Sequence, residues 1–304
     1  MQWCLHVKGP RDLDRELTLR SLAPKLAQAF GDAPFTHVAY GTEFCENLVA
    51  SGAGARATYE AAAARGLGFT LLTPYAGERG IARIREQLAA LPADAEAEFV
   101  FNDWGALHMA RRDFAHLTPV QGRLLNKSLR DPRVTTIISE ASLRGGGGSA
   151  AMGSLDALQR ANLDNPSYTN FLARFGVHAV EMDWLPQGTD LSFADRGVRV
   201  TVYAPFGMIS TARICMAAAL HYKKAEKFQP GAPCRHECQS HDVTYTYTNS
   251  PFQNRGQEFL LKGNTYFYEY SDLMISQIAA ESKSGRIARI VVQAELPMFA
   301  EVAA

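Results

Sequence analysis

Three cysteines lie close together in the second half of the chain, Cys215, Cys234 and Cys238. Only Arg-His-Glu separates the last two, and Pro233 stands immediately before the pair. Thiolates suit soft metals, and two cysteines in one short loop reach the same ion at little cost in chain ordering. Free cysteines are also among the most buried residue types. The spacing therefore indicates either a thiolate metal site or a set of small core residues.

Cys45 is the candidate for a fourth thiolate. It follows the apolar run His37–Tyr40, which is typical of a buried strand, by only a few residues. The loops after the strands of a parallel barrel meet at one face, so Cys45 can reach the later cysteines. Cys4 lies inside another strand candidate, and we expect it to be a small buried residue.

Two kinds of metal centre fit these residues. Zinc would take Cys234 and Cys238 together with His236 or His241, a donor set usual for structural zinc. An iron–sulfur cluster would instead take four thiolates, those of Cys45 and the three later cysteines. The residues alone leave both open.

Polar residues that follow two other strand candidates are the catalytic candidates. Asn102 and Asp103 could orient a substrate, although Asp is also a favoured helix N-cap. Arg123 and Asn126 could hold a carboxylate, because a guanidinium pairs with it through two hydrogen bonds. A surface ion pair is the alternative role for Arg123.

Short β-branched and aromatic runs alternate along the chain with segments of helical period. The strand candidates are Trp3–Val7, His37–Tyr40, Phe69–Leu72, Glu98–Phe101, Thr118–Gln121, Ala179–Met182, Val198–Tyr203 and Arg289–Gln293. The helix candidates are Asp14–Phe30, Thr58–Arg65, Gly80–Leu91, Ala106–Arg111, Tyr168–Phe175 and Ser210–Leu220. About eight alternations with short loops predict an α/β fold, a TIM-like (β/α) barrel rather than an open sheet.

Two regions interrupt this alternation. Residues 141–153 are rich in glycine and predict a flexible crossing, without the glycine spacing of a dinucleotide-binding loop. Residues 223–270 lack helical period and hold the alternating runs Val243–Thr248 and Phe259–Tyr270, which predict a small β-rich excursion. We expect a single barrel-like domain over residues 1–304.

Length and charge exclude several classes of protein. The 304 residues include 31 basic and 31 acidic side chains, so a nucleic-acid binder that relies on bulk positive charge is not expected. No apolar run reaches the roughly 20 residues of a membrane span, and the N-terminus lacks the pattern of a signal peptide. Five cysteines are too few for a disulfide scaffold, so we expect a cytoplasmic protein with reduced thiols.

Four segments occur in a characteristic order along the chain: Ala39-Tyr-Gly-Thr-Glu-Phe-Cys45, Phe101-Asn-Asp-Trp-Gly-Ala-Leu107, Gly122-Arg-Leu-Leu-Asn126 and Asn165-Pro-Ser-Tyr-Thr-Asn-Phe-Leu-Ala-Arg-Phe-Gly-Val177. With the later cysteines, this set resembles the collagenase-like peptidase family (family thirty-two of the unassigned-mechanism peptidases). It is most similar to the short branch that acts in anaerobic ubiquinone biosynthesis. The resemblance covers most of the chain and implies a barrel-like α/β domain.

The resemblance also implies a cofactor and an activity. The cofactor is a four-iron, four-sulfur (4Fe-4S) cluster bound by Cys45, Cys215, Cys234 and Cys238, although the segment between Cys215 and Cys234 is longer than in the family. The activity is oxygen-independent hydroxylation of a small aromatic substrate, with prephenate as hydroxyl donor and a protein of the same family as partner in a heterodimer.

Three other functions are considered beside this one. A non-catalytic subunit would bind a catalytic homologue and stabilise its cluster. Hydroxylation of RNA bases is known in the family but is disfavoured by the charge balance. A peptidase is the least expected, because the sequence offers no Ser-His-Asp, Cys-His or His-Glu-x-x-His arrangement.

Overall fold

Eight parallel strands form a closed barrel. The computed structural model describes residues 1–134, 156–224, 226–227, 234–246 and 258–299. The barrel strands are β1 (Gln2–Val7), β2 (His37–Gly41), β3 (Gly68–Leu72), β4 (Ala97–Phe101), β5 (Thr118–Gln121), β6 (Ala179–Met182), β7 (Arg199–Ala204) and β12 (Ile287–Val292). Their order around the barrel is β1-β12-β7-β6-β5-β4-β3-β2. The predicted TIM-like α/β barrel is confirmed.

Helices surround the barrel and cover the outer, apolar side of its strands. They are α1 (Leu19–Leu22), α2 (Pro24–Phe30), α3 (Gly52–Ala63), α4 (Glu78–Ala90), α5 (Trp104–Asp113), α6 (Pro166–Arg174) and α7 (Asp272–Lys283). Strands that are buried on both sides read as nearly continuous apolar runs, and this property makes them visible in the sequence.

Inward-facing side chains fill the barrel in layers, as in other barrels of this kind. An apolar cluster inside the barrel includes Cys4, Val100, Val120 and Val291. Cys4 is completely buried there, so its predicted place as a small core residue is confirmed.

The layer at the amino-terminal end of the strands is charged. Glu98 of β4 pairs with Arg289 of β12 and Arg199 of β7, and it accepts a 2.8 Å hydrogen bond from Thr70 Oγ1. A carboxylate in such a place needs partners, because burial without them is costly. Four strands, β3, β4, β7 and β12, are therefore tied together at this end.

A four-stranded antiparallel sheet is inserted between β7 and α7. Its strands are β8 (Phe206–Thr211), β9 (Val243–Thr246), β10 (Glu258–Lys262) and β11 (Thr265–Glu269), in the order β8-β11-β10-β9. Met208 and Phe267 of this sheet pack with Phe44 and Met298 over the carboxyl end of the barrel. The predicted β-rich excursion is confirmed, but it begins at residue 206 rather than 223.

The structure corrects two predicted helices. Ser210–Leu220 is not a helix: β8 occupies its start, and only a short 3-10 turn, Ala218–His221, follows. Pairing of β8 with β11 outweighs the local helical preference of the alanines. The predicted helix Asp14–Phe30 is divided, because Pro24 cannot continue a helix and instead begins α2.

Other differences are small or lie outside the described residues. The remaining predicted strands and helices agree with the structure in type, and most of their ends differ by one or two residues. Helix α3 begins at Gly52 rather than Thr58, the run Phe259–Tyr270 forms the two strands β10 and β11, and α7 was not predicted. The glycine-rich crossing at 141–153 and the end of the run Val243–Thr248 lie outside the described residues. Within the part of the chain that is described, no helix has the length and apolar character of a membrane span.

The charged layer generates a prediction about acid stability. Burial acts to raise the pKa of Glu98, but the guanidinium of Arg289 outweighs it, and the pKa is lowered. Because the folded pKa lies below the unfolded value of about 4.3, this carboxylate stabilises the protein above that pH, and the contribution is lost as the pH falls through the folded pKa. Glu98→Gln should lower the free energy of unfolding at pH 7 by about 3 kcal/mol and flatten its decline below pH 5.

Urea unfolding between pH 3 and pH 7 measures this effect. The exposed neighbour Glu96 gives the matched control, because Glu96→Gln should leave both the stability and its pH dependence almost unchanged. An identical acid-induced decline in the wild type and Glu98→Gln would contradict the assignment.

Candidate functional site

A buried guanidinium occupies the carboxyl end of the barrel. Arg123, which follows β5, donates from Nε and Nη2 to the two carboxylate oxygens of Glu43, at 3.0 and 2.8 Å. Its Nη1 donates to Asp183 Oδ1 at 2.7 Å, and the guanidinium lies 3.7 Å from the centre of the Tyr203 ring. All three charged side chains are inaccessible to water. The end of the barrel is thus closed by an ion cluster.

Burial and charge act in opposite directions within this cluster. Burial acts to lower the pKa of Arg123, but Glu43 and Asp183 outweigh it, so the pKa is raised and the guanidinium stays charged. One layer deeper, burial and the neighbouring Glu43 raise the pKa of Glu181 to about 8, and Tyr203 Oη donates to this carboxyl at 2.6 Å. Burial and the charge of Glu43 therefore favour the protonated form of Glu181.

The surroundings of Arg123 bear on its predicted roles. The alternative of a surface ion pair is wrong, because both of its carboxylate partners are buried. Its guanidinium is paired with Glu43 and Asp183 and is inaccessible to water, which leaves no exposed donor for a substrate carboxylate. The sequence did not indicate Glu43 or Asp183, since each stands alone in a loop 80 or 60 residues from Arg123.

Asn102 and Asn126 hold neighbouring loops together. Asn102 Nδ2 donates to the carbonyl of Thr73 at 2.8 Å, and its Oδ1 accepts from the Leu124 amide at 3.0 Å. Asn126 Nδ2 donates to the carbonyl of Glu181. Both side chains are buried, so their surroundings favour a structural role, and their catalytic role stays a prediction.

Asp103 caps helix α5. Its Oδ1 accepts hydrogen bonds from the amides of Gly105 and Ala106, at 2.7 and 3.2 Å, and satisfies two donors that the first helical turn leaves unpaired. The capping interpretation is confirmed.

The cysteines line a pocket beside the closed end of the barrel. This pocket has a volume of about 600 Å³, and Cys45, Cys215 and Cys234 form part of its wall. Cys238 is buried directly beneath, in the apolar cluster that contains Phe44. Cys45 comes from the barrel loop after β2, whereas the other three belong to the inserted region.

The four thiols influence one another. Burial raises the pKa of Cys45 to about 12, and the thiols of Cys234, Cys238 and Cys215 each raise it further. Burial likewise raises the pKa of Cys215 and of Cys238, with smaller contributions from the neighbouring cysteines. Residues from two distant parts of the chain thus bring four free thiols within electrostatic range.

Each sulfur accepts a hydrogen bond from nitrogen. The amide of Ala218 donates to Cys215 Sγ at 3.4 Å and that of His236 to Cys234 Sγ at 3.4 Å. Gln239 Nε2 donates to Cys238 Sγ at 3.2 Å. The amide of Asn47 donates to Cys45 and counteracts the effect of burial on its pKa. Such donors favour the thiolate, the form that binds metal.

An iron–sulfur cluster and a single zinc ion would place different demands on these cysteines. Among the described residues, no three His, Cys, Asp or Glu side chains are arranged to hold a metal ion. A single zinc draws its ligands to one point, with Zn–S distances of about 2.3 Å, whereas a polynuclear cluster separates its thiolates more widely. The 4Fe-4S cluster bound by four thiolates stays a prediction. Zinc bound with His236 or His241 stays a prediction.

Three arginines complete the pocket wall and were not indicated by the sequence analysis. Arg83 donates to the backbone carbonyls of Glu46 and Val49. Arg79 and Arg213 form no salt bridge with any other residue in the described part of the chain, and Arg213 lies 5.7 Å from the Tyr75 ring centre. The position of Arg213 two residues before Cys215 was the available signal. The pocket wall therefore contains both thiols and the guanidiniums of Arg79 and Arg213, which have no salt-bridge partner among the described residues.

Comparison with known proteins adds little. No family model matches the chain, and no curated protein matches it. A phosphodiesterase from Oleispira antarctica is 13% identical over 66% of this chain and 83% of its own, with a TM-score of 0.35. A glycoside hydrolase family 18 N-acetylglucosaminidase from Paenibacillus barengoltzii is 11% identical over 98% and 96%, with a TM-score of 0.33. A class V chitinase from Nicotiana tobaccum is 8% identical over 97% and 94%, with a TM-score of 0.34. At these scores the similarities carry no argument.

The cap on α5 can be tested by substitution. Asp103→Ala should lower the free energy of unfolding by about 1 kcal/mol, because two amides of the first turn lose their acceptor. Asp103→Ser should retain most of the stability, since serine caps helices nearly as well. Urea unfolding measures both variants, and an equal loss in the two would contradict the capping role.

Proposed function

We propose that the protein is a UbiV-like iron–sulfur protein of the collagenase-like peptidase family, in which Cys45, Cys215, Cys234 and Cys238 bind a 4Fe-4S cluster. We propose that it serves the oxygen-independent hydroxylation of an aromatic substrate in ubiquinone biosynthesis. The observation that carries the proposal is the convergence of Cys45, Cys215 and Cys234 on the wall of one pocket, with Cys238 in the apolar cluster against which Cys45 packs. The ordered motifs of the sequence support the same family.

The chain has separate means to bind a cluster and a substrate. A 4Fe-4S cluster, when bound, supplies one-electron transfer. The amide donors to sulfur favour the thiolate forms, and the apolar residues around Cys238 limit the access of water. Hydrogen bonds and burial of this kind also tune the potential of such centres.

The open part of the pocket is the proposed substrate site. Its volume of about 600 Å³ accommodates a small aromatic molecule, and Tyr75 and Tyr222 provide ring surfaces in its wall. The exposed guanidiniums of Arg79 and Arg213 can bind the carboxylates of prephenate, the proposed hydroxyl donor. They take the role predicted for Arg123, whose guanidinium is inaccessible to water.

We further propose that the protein acts in the cytoplasm in a heterodimer with a homologue of the same family. The protein can be isolated anaerobically, alone and together with the homologue, and assayed for activity. This experiment distinguishes a catalytic protein from a non-catalytic subunit that stabilises the homologue's cluster. Turnover of an aromatic precursor and a donor by the isolated chain would exclude a purely stabilising subunit. Turnover only with a homologue that is itself inactive alone would establish a shared function.

Substitution of each cysteine tests the cluster. Cys45→Ala, Cys215→Ala, Cys234→Ala and Cys238→Ala should each lose most of the bound iron, because each removes one thiolate ligand. Cys4→Ala is the matched control and should retain it, since Cys4 lies in the barrel interior. Iron and acid-labile sulfide per chain, measured after anaerobic purification, decide the matter. Full iron retention in all four variants would contradict the cluster, and zinc in place of iron would favour the mononuclear site.

Substitution of a pocket arginine tests the donor site. Arg213→Gln should weaken the binding of prephenate about tenfold to a hundredfold, the loss expected for hydrogen bonds to a charged group. Iron content should stay unchanged, because Arg213 is not a thiol ligand. Calorimetry under anaerobic conditions measures the affinity, and exposed Arg56→Gln, which lies outside the pocket, is the control. Unchanged affinity in Arg213→Gln would remove this residue from the donor site.

A further inference from the structure

The turn between β10 and β11 lies among the segments that carry the cysteines. It consists of Gly263 and Asn264, and the Asn264 side chain is 6% exposed although it belongs to a hairpin turn. A buried amide in such a place needs hydrogen-bond partners, and those of Asn264 come from other segments.

The Asn264 amide bridges two segments that are distant in sequence. Its Nδ2 donates to the carbonyl of Phe44 at 2.8 Å and to the carbonyl of Ala212 at 2.6 Å. Phe44 immediately precedes Cys45, and Ala212 stands three residues before Cys215. One side chain therefore connects the barrel loop with the inserted segment.

The orientation of this amide is determined by its neighbours. Thr265 Oγ1 donates to Asn264 Oδ1 at 3.1 Å, on the side opposite the two carbonyls. Exchanging the amide oxygen and nitrogen would place an acceptor against two acceptors. Tyr75 Oη, which donates to the carbonyl of Ala212 at 2.6 Å, also lies 3.1 Å from Asn264 Nδ2. The bridge thus requires the two N–H donors of an amide.

Gly263 extends the same contact to a third cysteine. It has a φ of +63°, and a Cβ at this position would lie 3.4 Å from Cys238 Cβ and 2.7 Å from Met298 Cε. Its carbonyl accepts from the amide of Ala217 at 3.3 Å. Glycine is favoured here by the left-handed backbone conformation, and the turn lies in van der Waals contact with Cys238.

We propose that Asn264 is a positioning residue that sets the relative placement of Cys45 and Cys215, with Gly263 placing Cys238 against the same turn. The thiols of Cys45, Cys215 and Cys238 are then held in position before any metal binds. Such preorganisation lowers the ordering cost of binding. The proposal concerns the thiols themselves, and it rests on the proposed function only for its effect on a bound cluster.

Alkylation of the metal-free protein tests the placement directly. Iodoacetamide labelling of each cysteine, followed by mass spectrometry, should show Cys45 and Cys215 reacting about threefold to tenfold faster in Asn264→Ala than in wild type. Exposure of these thiols by local opening breaks the hydrogen bonds of Asn264 in the wild type but not in Asn264→Ala. The loss of one net hydrogen bond accounts for a rate change of this size. Cys4 should stay protected, which separates a local effect from general unfolding.

Two further variants make the test specific. Asn264→Asp keeps the size of the side chain but removes both donors, so it should behave like Asn264→Ala and provides the answer if the alanine variant does not fold. Gln277→Ala is the matched control, since Gln277 accepts a 3.0 Å hydrogen bond from Trp184 Nε1, remote from the pocket. It should leave all labelling rates unchanged.

A second test measures the iron-loaded protein. Anaerobically reconstituted Asn264→Asp should have an altered electron paramagnetic resonance spectrum of the reduced cluster, whereas Gln277→Ala should match the wild type. Unchanged labelling of Cys45 and Cys215 in both Asn264 variants would overturn the positioning role. If the Asn264 variants are labelled faster but the wild type binds no iron, the positioning role is supported and the proposed cluster is contradicted.

Discussion

A guanidinium without access to water determines how the carboxyl end of this barrel is built. Arg123 binds Glu43 from the loop after β2 and Asp183 from the end of β6, and Asp183 in turn accepts a 3.1 Å hydrogen bond from the amide of Met208 in the inserted sheet. Removal of the guanidinium would leave the buried carboxylate of Glu43 uncompensated, a loss of about 3 to 5 kcal/mol, whereas Asp183 would keep its ion pair with Arg130. Barrel and inserted sheet therefore share one electrostatic centre.

Because the carboxyl end of the barrel is closed, the accessible pocket does not lie at the centre of the barrel. In barrels of this type, the loops after the strands surround an open centre where substrates bind. Here Arg123 and Glu43 fill that centre, and Phe267 and Met208 cover it. The open space lies at the rim instead, between the loop that carries Cys45 and the inserted region. Glu43, two residues before Cys45, also links the ion cluster to the thiol pocket.

The sequence predicted the barrel well because its strands are buried on both sides. Thr118–Gln121 and Ala179–Met182 agree with the structure residue for residue. Prediction was wrong where pairing outweighs local preference, as in Ser210–Leu220, whose first residues pair with β11. Only a sequence pattern that includes long-range pairing could have shown this.

The candidate site was likewise predicted only in part from the sequence. Chemically distinctive residues such as Cys234 and Cys238 stand close in sequence, so their clustering was visible. The partners of Arg123 and the bridge made by Asn264 connect residues that are tens to hundreds of positions apart, and an isolated Glu or Asn carries no local signal. The sequence also did not show which arginine side chain is accessible. Nothing in the sequence distinguishes Arg123 from Arg213, but of these two only Arg213 lines the pocket.

The insertion of the thiol-bearing sheet before the last strand has a consequence for biosynthesis. Cys45 leaves the ribosome soon after β2, but its partners follow only after β7, and β12 must still emerge to pair with β1 and β7. The barrel cannot close while the inserted region is being made. Cys45 therefore spends most of translation as a solitary thiol, and the complete set of four comes together only when the chain is nearly finished.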